Sequence, residues 1–198
     1  MGSKPIDNRR DVLLLLLYSP GMQKDVNEPI VGRTRLVKML FLFKVEALPH
    51  FRAGTELDDE SFYDFFPWNF GPFSSQVYDD LMFFTLRGFV EAEDAKEDTL
   101  PESAAEWQRW LTSSAPDDED DSFTSYEEQQ FRLTEKGVAF SGQLFNGLSV
   151  PQKRLLKQFK ERLSRAPLRA ILRYVYEKYP DQIERSQIRE QVLGHLDD

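Results

Sequence analysis

SSQVYDDLMFFTLRGFVE, residues 74–91, and QFRLTEKG, residues 130–137, decide the fold when read together. In the first stretch Val77, Leu81 and Phe84, with Tyr78 beside them, recur at helical spacing, and Ser74 or Ser75 stands where a helix N-cap belongs. Arg87-Gly88 closes that helix, because glycine accepts the left-handed turn that commonly ends one. Phe89 to Glu91 then reads as a short strand. Gln130 to Leu133 reads as a second strand, and Thr134 caps a helix through Val138 and Phe140. If the two strands pair, residues 94–129 are an insertion at the tip of a hairpin.

Upstream, a helix capped by Asp7 or Asn8 runs through Leu13 to Tyr18 until Ser19-Pro20-Gly21 stops it. Its five consecutive leucines leave little polar face, so it is a buried element. Arg33 to Ala47 places Leu36, Met39, Leu40, Phe43 and Ala47 on one helical line, with Arg33, Arg35, Lys38 and Lys44 off it, which predicts an amphipathic helix with a basic edge. Residues 61–73 are aromatic and hold Pro67, Gly71 and Pro72, which suits an extended segment ending in a turn. Downstream, Leu155, Leu156, Phe159 and Leu163 mark a helix over 151–164. Leu168, Ile171, Leu172, Val175 and Tyr176 mark another over 167–179, with Pro180 as terminator, and a last helix is expected over 184–194.

Three helices, a strand, a second strand and a helix is the order of a winged helix-turn-helix. The expected fold is therefore mainly α (α+β), with a winged-helix-like core and small β-hairpin over 1–148. A C-terminal helical extension, 149–198, packs on that core. The stretches Arg33 to Leu42, Phe70-Gly71-Pro72-Phe73-Ser74, Leu81 to Val90 and Phe131 to Gly137 resemble the bacterial YwgA family and its relatives, the Panacea (SocA-like) antitoxin domains. Tyr174 to Pro180 is similar to a C-terminal segment of such proteins. The resemblance implies a winged-helix-like fold and a regulatory, antitoxin-like or defence-associated role. The insertion departs from the compact wing of that family. The residues themselves give the shared motifs structural tasks: Gly71 for an unusual backbone angle, Pro72 to stiffen the turn, Ser74 to satisfy helix amides.

The net charge of −9 argues against a nucleic-acid partner only on average. Residues 91–130 hold fourteen acidic residues against two basic ones, a local −12, so the remainder carries +3. Within that insertion Asp117 to Asp121 is an unbroken acidic run, and Trp107, Trp110 and Leu111 suggest a short helix. Lys153, Arg154, Lys157, Lys160, Arg162, Arg165, Arg169 and Arg173, offset only by Glu161, make +7 over twenty-one residues. With Arg33, Arg35 and Lys38 they are the candidate surface for nucleic acid or an acidic partner, the chain's own insertion included. Recognition through the 74–87 helix is disfavoured, because Asp79 and Asp80 replace the basic and amide side chains that read base edges. Phe65, Phe66, Trp68, Phe70 and Phe73 are the candidate partner groove.

Enzyme chemistry finds little support. Cysteine is absent, which removes thiolate chemistry and suits the cytoplasm. No glycine-rich phosphate motif and no His-Glu-x-x-His occurs. Two histidines, His50 and His195, with Asp58, Asp59 or Glu60 make a poor zinc set. Arg189 and His195 have the spacing of HEPN ribonucleases, but Glu190 is unlike the polar partner usual after that arginine. Asp79 and Asp80 diverge by about 100° around a helix and form no acid–base dyad. No catalytic residue, metal or cofactor is assigned. Val12 to Tyr18 is too short to span a bilayer, and the Arg9-Arg10 pair before it has no cleavage site after it, so no membrane association is expected. The expectation is a non-catalytic regulatory protein-interaction module, antitoxin-like or a subunit of a defence complex, with homo-oligomerisation open. The alternative is a DNA-binding winged-helix transcriptional regulator that uses the basic helices.

Overall fold

A computed structural model describes residues 6–94 and 129–193. The expected insertion therefore lies outside the described residues, except where its ends join strands. Its short helix around Trp107 lies outside them too, as does His195.

The fold is mainly α with a small antiparallel sheet. Helix α1 (Arg9–Tyr18) starts at Asn8, whose side chain accepts from the amides of Arg10 and Asp11, and buries Val12 to Leu17 completely. Strand β1 (Ile30–Val31) leads through Gly32 into α2 (Arg33–Leu42). This helix does not stop where the spacing predicts: it widens into a π-helical turn (Phe43–Ala47) and resumes as α3 (Leu48–Phe51). Pro49 explains the widened turn, since a proline lacks the N–H an α-helix would use and crowds the carbonyl four residues back.

The aromatic segment is a hairpin, with β2 (Phe66–Trp68) antiparallel to β3 (Gly71–Phe73) and Trp68 opposite Gly71. Gly71 has φ +85°, which a side chain would strain. Helix α4 (Ser75–Leu86) follows. Ser74 occupies its N-cap position, but its side chain makes no cap hydrogen bond and its hydroxyl is buried without a partner, contrary to the sequence expectation.

Strands β4 (Val90–Asp94) and β5 (Gln129–Leu133) do pair, in the register Val90↔Leu133 to Asp94↔Gln129. β1 adds to the other edge of β5 through Ile30↔Phe131, giving the sheet order β1-β5-β4. Thr134 caps α5 (Glu135–Gly147) by accepting from the Gly137 amide. Helix α6 (Val150–Arg165) opens with a capping box between Ser149 and Gln152, and α7 (Leu168–Lys178) follows after Pro167. The last expected helix is shorter than its spacing suggests. A 3-10 turn (Pro180–Gln182) and a bend precede α8 (Arg189–Leu193), because Gln187 donates its backbone N–H to Asn69 O and holds the chain against the β2–β3 loop.

One hydrophobic cluster joins these pieces. α1 packs on α5 and β5, and α7 packs on α2 and β3. Consequently α2 is enclosed, with Thr34 to Leu42 all buried.

Candidate functional site

The enclosure of α2 decides what becomes of its basic edge. Arg35 and Lys38 were expected on a surface and are interior instead. Arg35 donates through Nη1 to Leu163 O at 2.6 Å and Ala166 O at 2.7 Å, closing the C-terminus of α6. Burial lowers its pKa to about 10. Lys38, 2% exposed, donates to Pro72 O at 2.8 Å and so holds the hairpin to α2; burial brings its pKa down to about 7. Lys160, placed by its sequence on the basic face of α6, is fully buried and donates to Leu17 O at 2.8 Å and Glu28 O at 2.7 Å. Its pKa also falls to about 7, through burial, against the opposing pull of Glu28. The physical reason is shared: carbonyls at a helix end or hairpin edge need donors, and a long side chain can bury its stem while delivering one.

The rest of the basic set reaches solvent to differing degrees. Arg33 stacks over the Tyr78 ring at 4.6 Å. Lys153 donates to Asn146 O and lies over Phe145. Arg162 pairs with Glu46, Arg165 with Glu161, and Arg173 with Glu177. Arg154, Lys157 and Arg169 are exposed and have no ion pair among the described residues. Among the described residues, burial of Arg35 and Lys38 breaks the basic set that was expected to join α2 to α6 and α7.

The aromatic set divides. Phe65 turns inward against Phe41 and Tyr63, and Phe70 packs on the core. Phe66 and Trp68 point outward and are each 41% exposed. Phe66 contacts Phe73 at 5.5 Å, Trp68 contacts Phe73 at 6.3 Å, and Phe73 contacts Tyr78 on α4 at 5.2 Å. The ridge reaches α4, whose outward side also carries Met82 and Leu86, 60% and 79% exposed. Tyr78, Met82 and Leu86 stand four residues apart and therefore share a face. The sequence signal for this continuation was present, because Met82 and Leu86 sit off the buried Val77–Leu81–Phe84 line.

Two charged clusters were not anticipated. Asp80 is wholly buried, with Arg9 Nε on Oδ2 at 2.9 Å and Arg10 Nε on Oδ1 at 2.7 Å. Half of the acidic objection to α4 as a recognition element is thus internally neutralised; Asp79 alone faces solvent. Burial, with the Asp80 carboxylate beside it, holds the Tyr63 phenol well above its usual pKa. Glu46, presented by the π-helical turn, accepts from Tyr174, Lys178 and Tyr179 and pairs with Arg162. Desolvation raises its pKa, but those hydrogen bonds outweigh it and the carboxyl sits below its ordinary range. Glu46, Arg154, Arg162, Val150 and Phe159 line an open cleft of about 460 Å³ beside α6.

No three or more His, Cys, Asp or Glu side chains gather to hold a metal among the described residues. No described helix is long and apolar enough to cross a membrane. No family model, curated protein or solved structure matches the chain.

Proposed function

We propose that the protein is a non-catalytic regulatory module that holds a protein partner, antitoxin-like or as a subunit of a defence complex. The observation that carries this reading is the exposed pair Phe66 and Trp68, joined through the half-buried Phe73 and Tyr78 to the exposed Met82 and Leu86. Aromatic and methionine side chains concentrate at the centres of protein interfaces. Burial of Arg35 and Lys38 supports the same reading, since it removes the basic group that a nucleic-acid face would join to α6 and α7. In support of a winged-helix scaffold, α1, β1, α2, α4, the β4–β5 hairpin and α5 follow in that order with sheet order β1-β5-β4, although the π-helical turn, α3 and the β2–β3 hairpin intervene between α2 and α4. A chain without cysteine fits the reducing cytoplasm.

A second reading, a DNA-binding regulator, is favoured by one observation, the exposed Arg154, Lys157 and Arg169 on α6 and α7, which have no ion pair among the described residues. The two separate in one experiment. Wild type and a Phe66→Ala/Trp68→Ala variant are used to capture proteins from the native host, and each captured protein is then purified and titrated against both. A partner lost at least tenfold by the variant, whose circular dichroism is unchanged, is the expected result. Equal binding by both proteins, or affinity only for duplex DNA with a steep salt dependence that Arg154→Ala and Lys157→Ala reduce, overturns it.

A further inference from the structure

The cleft beside α6 is built from two adjacent rows of that helix. Arg154, Gln158 and Arg162 stand four residues apart and share one row, which Val150 begins; Pro151, Leu155 and Phe159 form the next. The π-helical turn contributes Glu46 and Ala47. The volume of about 460 Å³ falls within the range of small-molecule sites, roughly 300–1,000 Å³. Val150 is 70% exposed, an apolar side chain that the core leaves uncovered.

The charges of the lining are unequal. Glu46 is its one acidic residue among the described residues, and that carboxylate is already matched: Lys178 Nζ stands 2.9 Å from Oε1, and the Tyr174 and Tyr179 hydroxyls donate to the same oxygen. Arg162 reaches Oε2 with Nη2 at 3.1 Å, yet its side chain is 58% exposed and lies over the Phe159 ring. Arg154 is exposed and has no ion pair among the described residues. Two guanidinium groups thus stand beside an apolar surface, and Lys178 balances the carboxylate that opposes them.

We infer that the cleft binds a small amphipathic carboxylate, an apolar chain or ring that ends in one carboxyl group. Arg154 and Arg162 hold the carboxylate, because a planar guanidinium fork matches its two oxygens, and the apolar body covers Val150, Pro151 and Leu155. Glu46 selects the single charge: a phosphate monoester would bring about −1.5 to −2 next to that carboxylate, which favours the monoanion. A sugar or nucleotide is poorly served, since Gln158 is the one neutral polar side chain of the lining among the described residues. The cleft shares no residue with the Phe66–Trp68 surface, so the inference stands independently of the partner-binding reading.

The test uses the full chain, ¹⁵N-labelled, titrated by NMR at neutral pH with octanoate, acetate, 1-octanol and octyl phosphate. Octanoate is expected to shift the amides of Ala47, Arg154, Leu155 and Gln158. It is expected to bind at least tenfold tighter than acetate or 1-octanol and severalfold tighter than octyl phosphate. The preference over 1-octanol is expected to vanish in Arg154→Gln/Arg162→Gln, and octanoate is expected to weaken at least tenfold in Val150→Asp, whose side chain lies outside the core. The wild-type comparison decides even if a variant does not fold. Octanoate no tighter than acetate or 1-octanol, octyl phosphate bound as tightly as octanoate, a preference that survives in the folded double variant, or shifts confined to other residues overturns the inference. The partner-capture experiment reads Phe66 and Trp68 instead, so the two proposals fail separately.

Discussion

Asp80 has no solvent exposure and two guanidinium partners, so its removal leaves Arg9 and Arg10 facing a buried space without a counter-charge. Breaking a buried pair costs about 3–5 kcal/mol. Because Arg9 and Arg10 themselves reach water, Asp80→Ala is expected near the lower end, a loss of about 3 kcal/mol in urea unfolding. Gly71→Ala meets two penalties, φ +85° and a new Cβ 2.9 Å from Tyr176 Cε1, and a loss of about 1–3 kcal/mol with a lower melting temperature is expected. Gly137 tolerates no Cβ either, since one would collide with Phe89 O, where the first turn of α5 meets the start of β4. At this scale the sequence was partly readable. Gly71 was identified as a backbone position, and Asp7 or Asn8 as the cap of α1, of which the structure uses Asn8. Lys38, Lys160 and Arg35 were not recognised as interior, because a cation off the apolar line of a helix looks the same whether it faces water or a set of unpaired carbonyls.

The elements were more legible than their surroundings. The five leucines of α1, the pairing of β4 with β5 across a gap in the described chain, and the limits of α6 and α7 follow from spacing and punctuation. The β2–β3 hairpin was seen only as extended chain, since its pairing depends on Gly71 facing Trp68 and not on any period of two. The π-helical turn left no hydrophobic signature, although Pro49 marks its end. The start of α6 gives an element-scale prediction. Ser149 caps it, and Gln152 closes the box while donating from Nε2 to Phe51 O at 2.7 Å, tying α6 to α3. Ser149→Ala should cost about 1 kcal/mol. Gln152→Ala should cost more, about 1–3 kcal/mol, because it also leaves a buried carbonyl without its donor. Chemical denaturation of the two variants side by side gives that order directly.

For the molecule as a whole, the buried lysines set an unusual pH profile. Lys38 and Lys160 have pKa values of about 7 when folded. Unfolded lysine titrates near 10.4, so between about pH 7 and pH 10 the unfolded chain holds protons the folded one lacks, and stability rises with pH. Each lysine adds at most about 1.4 kcal/mol per pH unit in that window. Above about pH 10 the sign reverses, because Tyr63, and Tyr176 with its pKa raised to about 12 by burial, keep their protons only when folded. Urea midpoints should therefore rise from neutral pH to a maximum near pH 10 and then fall, and the rise should flatten in Lys38→Met/Lys160→Met. The mainly α class was legible from the sequence, whereas the exposed ridge was legible only as a cluster of aromatic residues, because which rings turn outward depends on the seating of the hairpin against α2. The final pair of the sheet, Asp94↔Gln129, places the two ends of the intervening chain side by side. Residues 95–128 hold eleven of the 34 acidic residues and two of the 25 basic ones, which leaves 23 of each elsewhere. Exchange of that segment for an Asn-Gly turn should keep the sheet closed and yield an electrically neutral molecule that precipitates near neutral pH. Colloidal stability would thus be a detachable property, carried between two adjacent points on the sheet and separable from the capacity to fold.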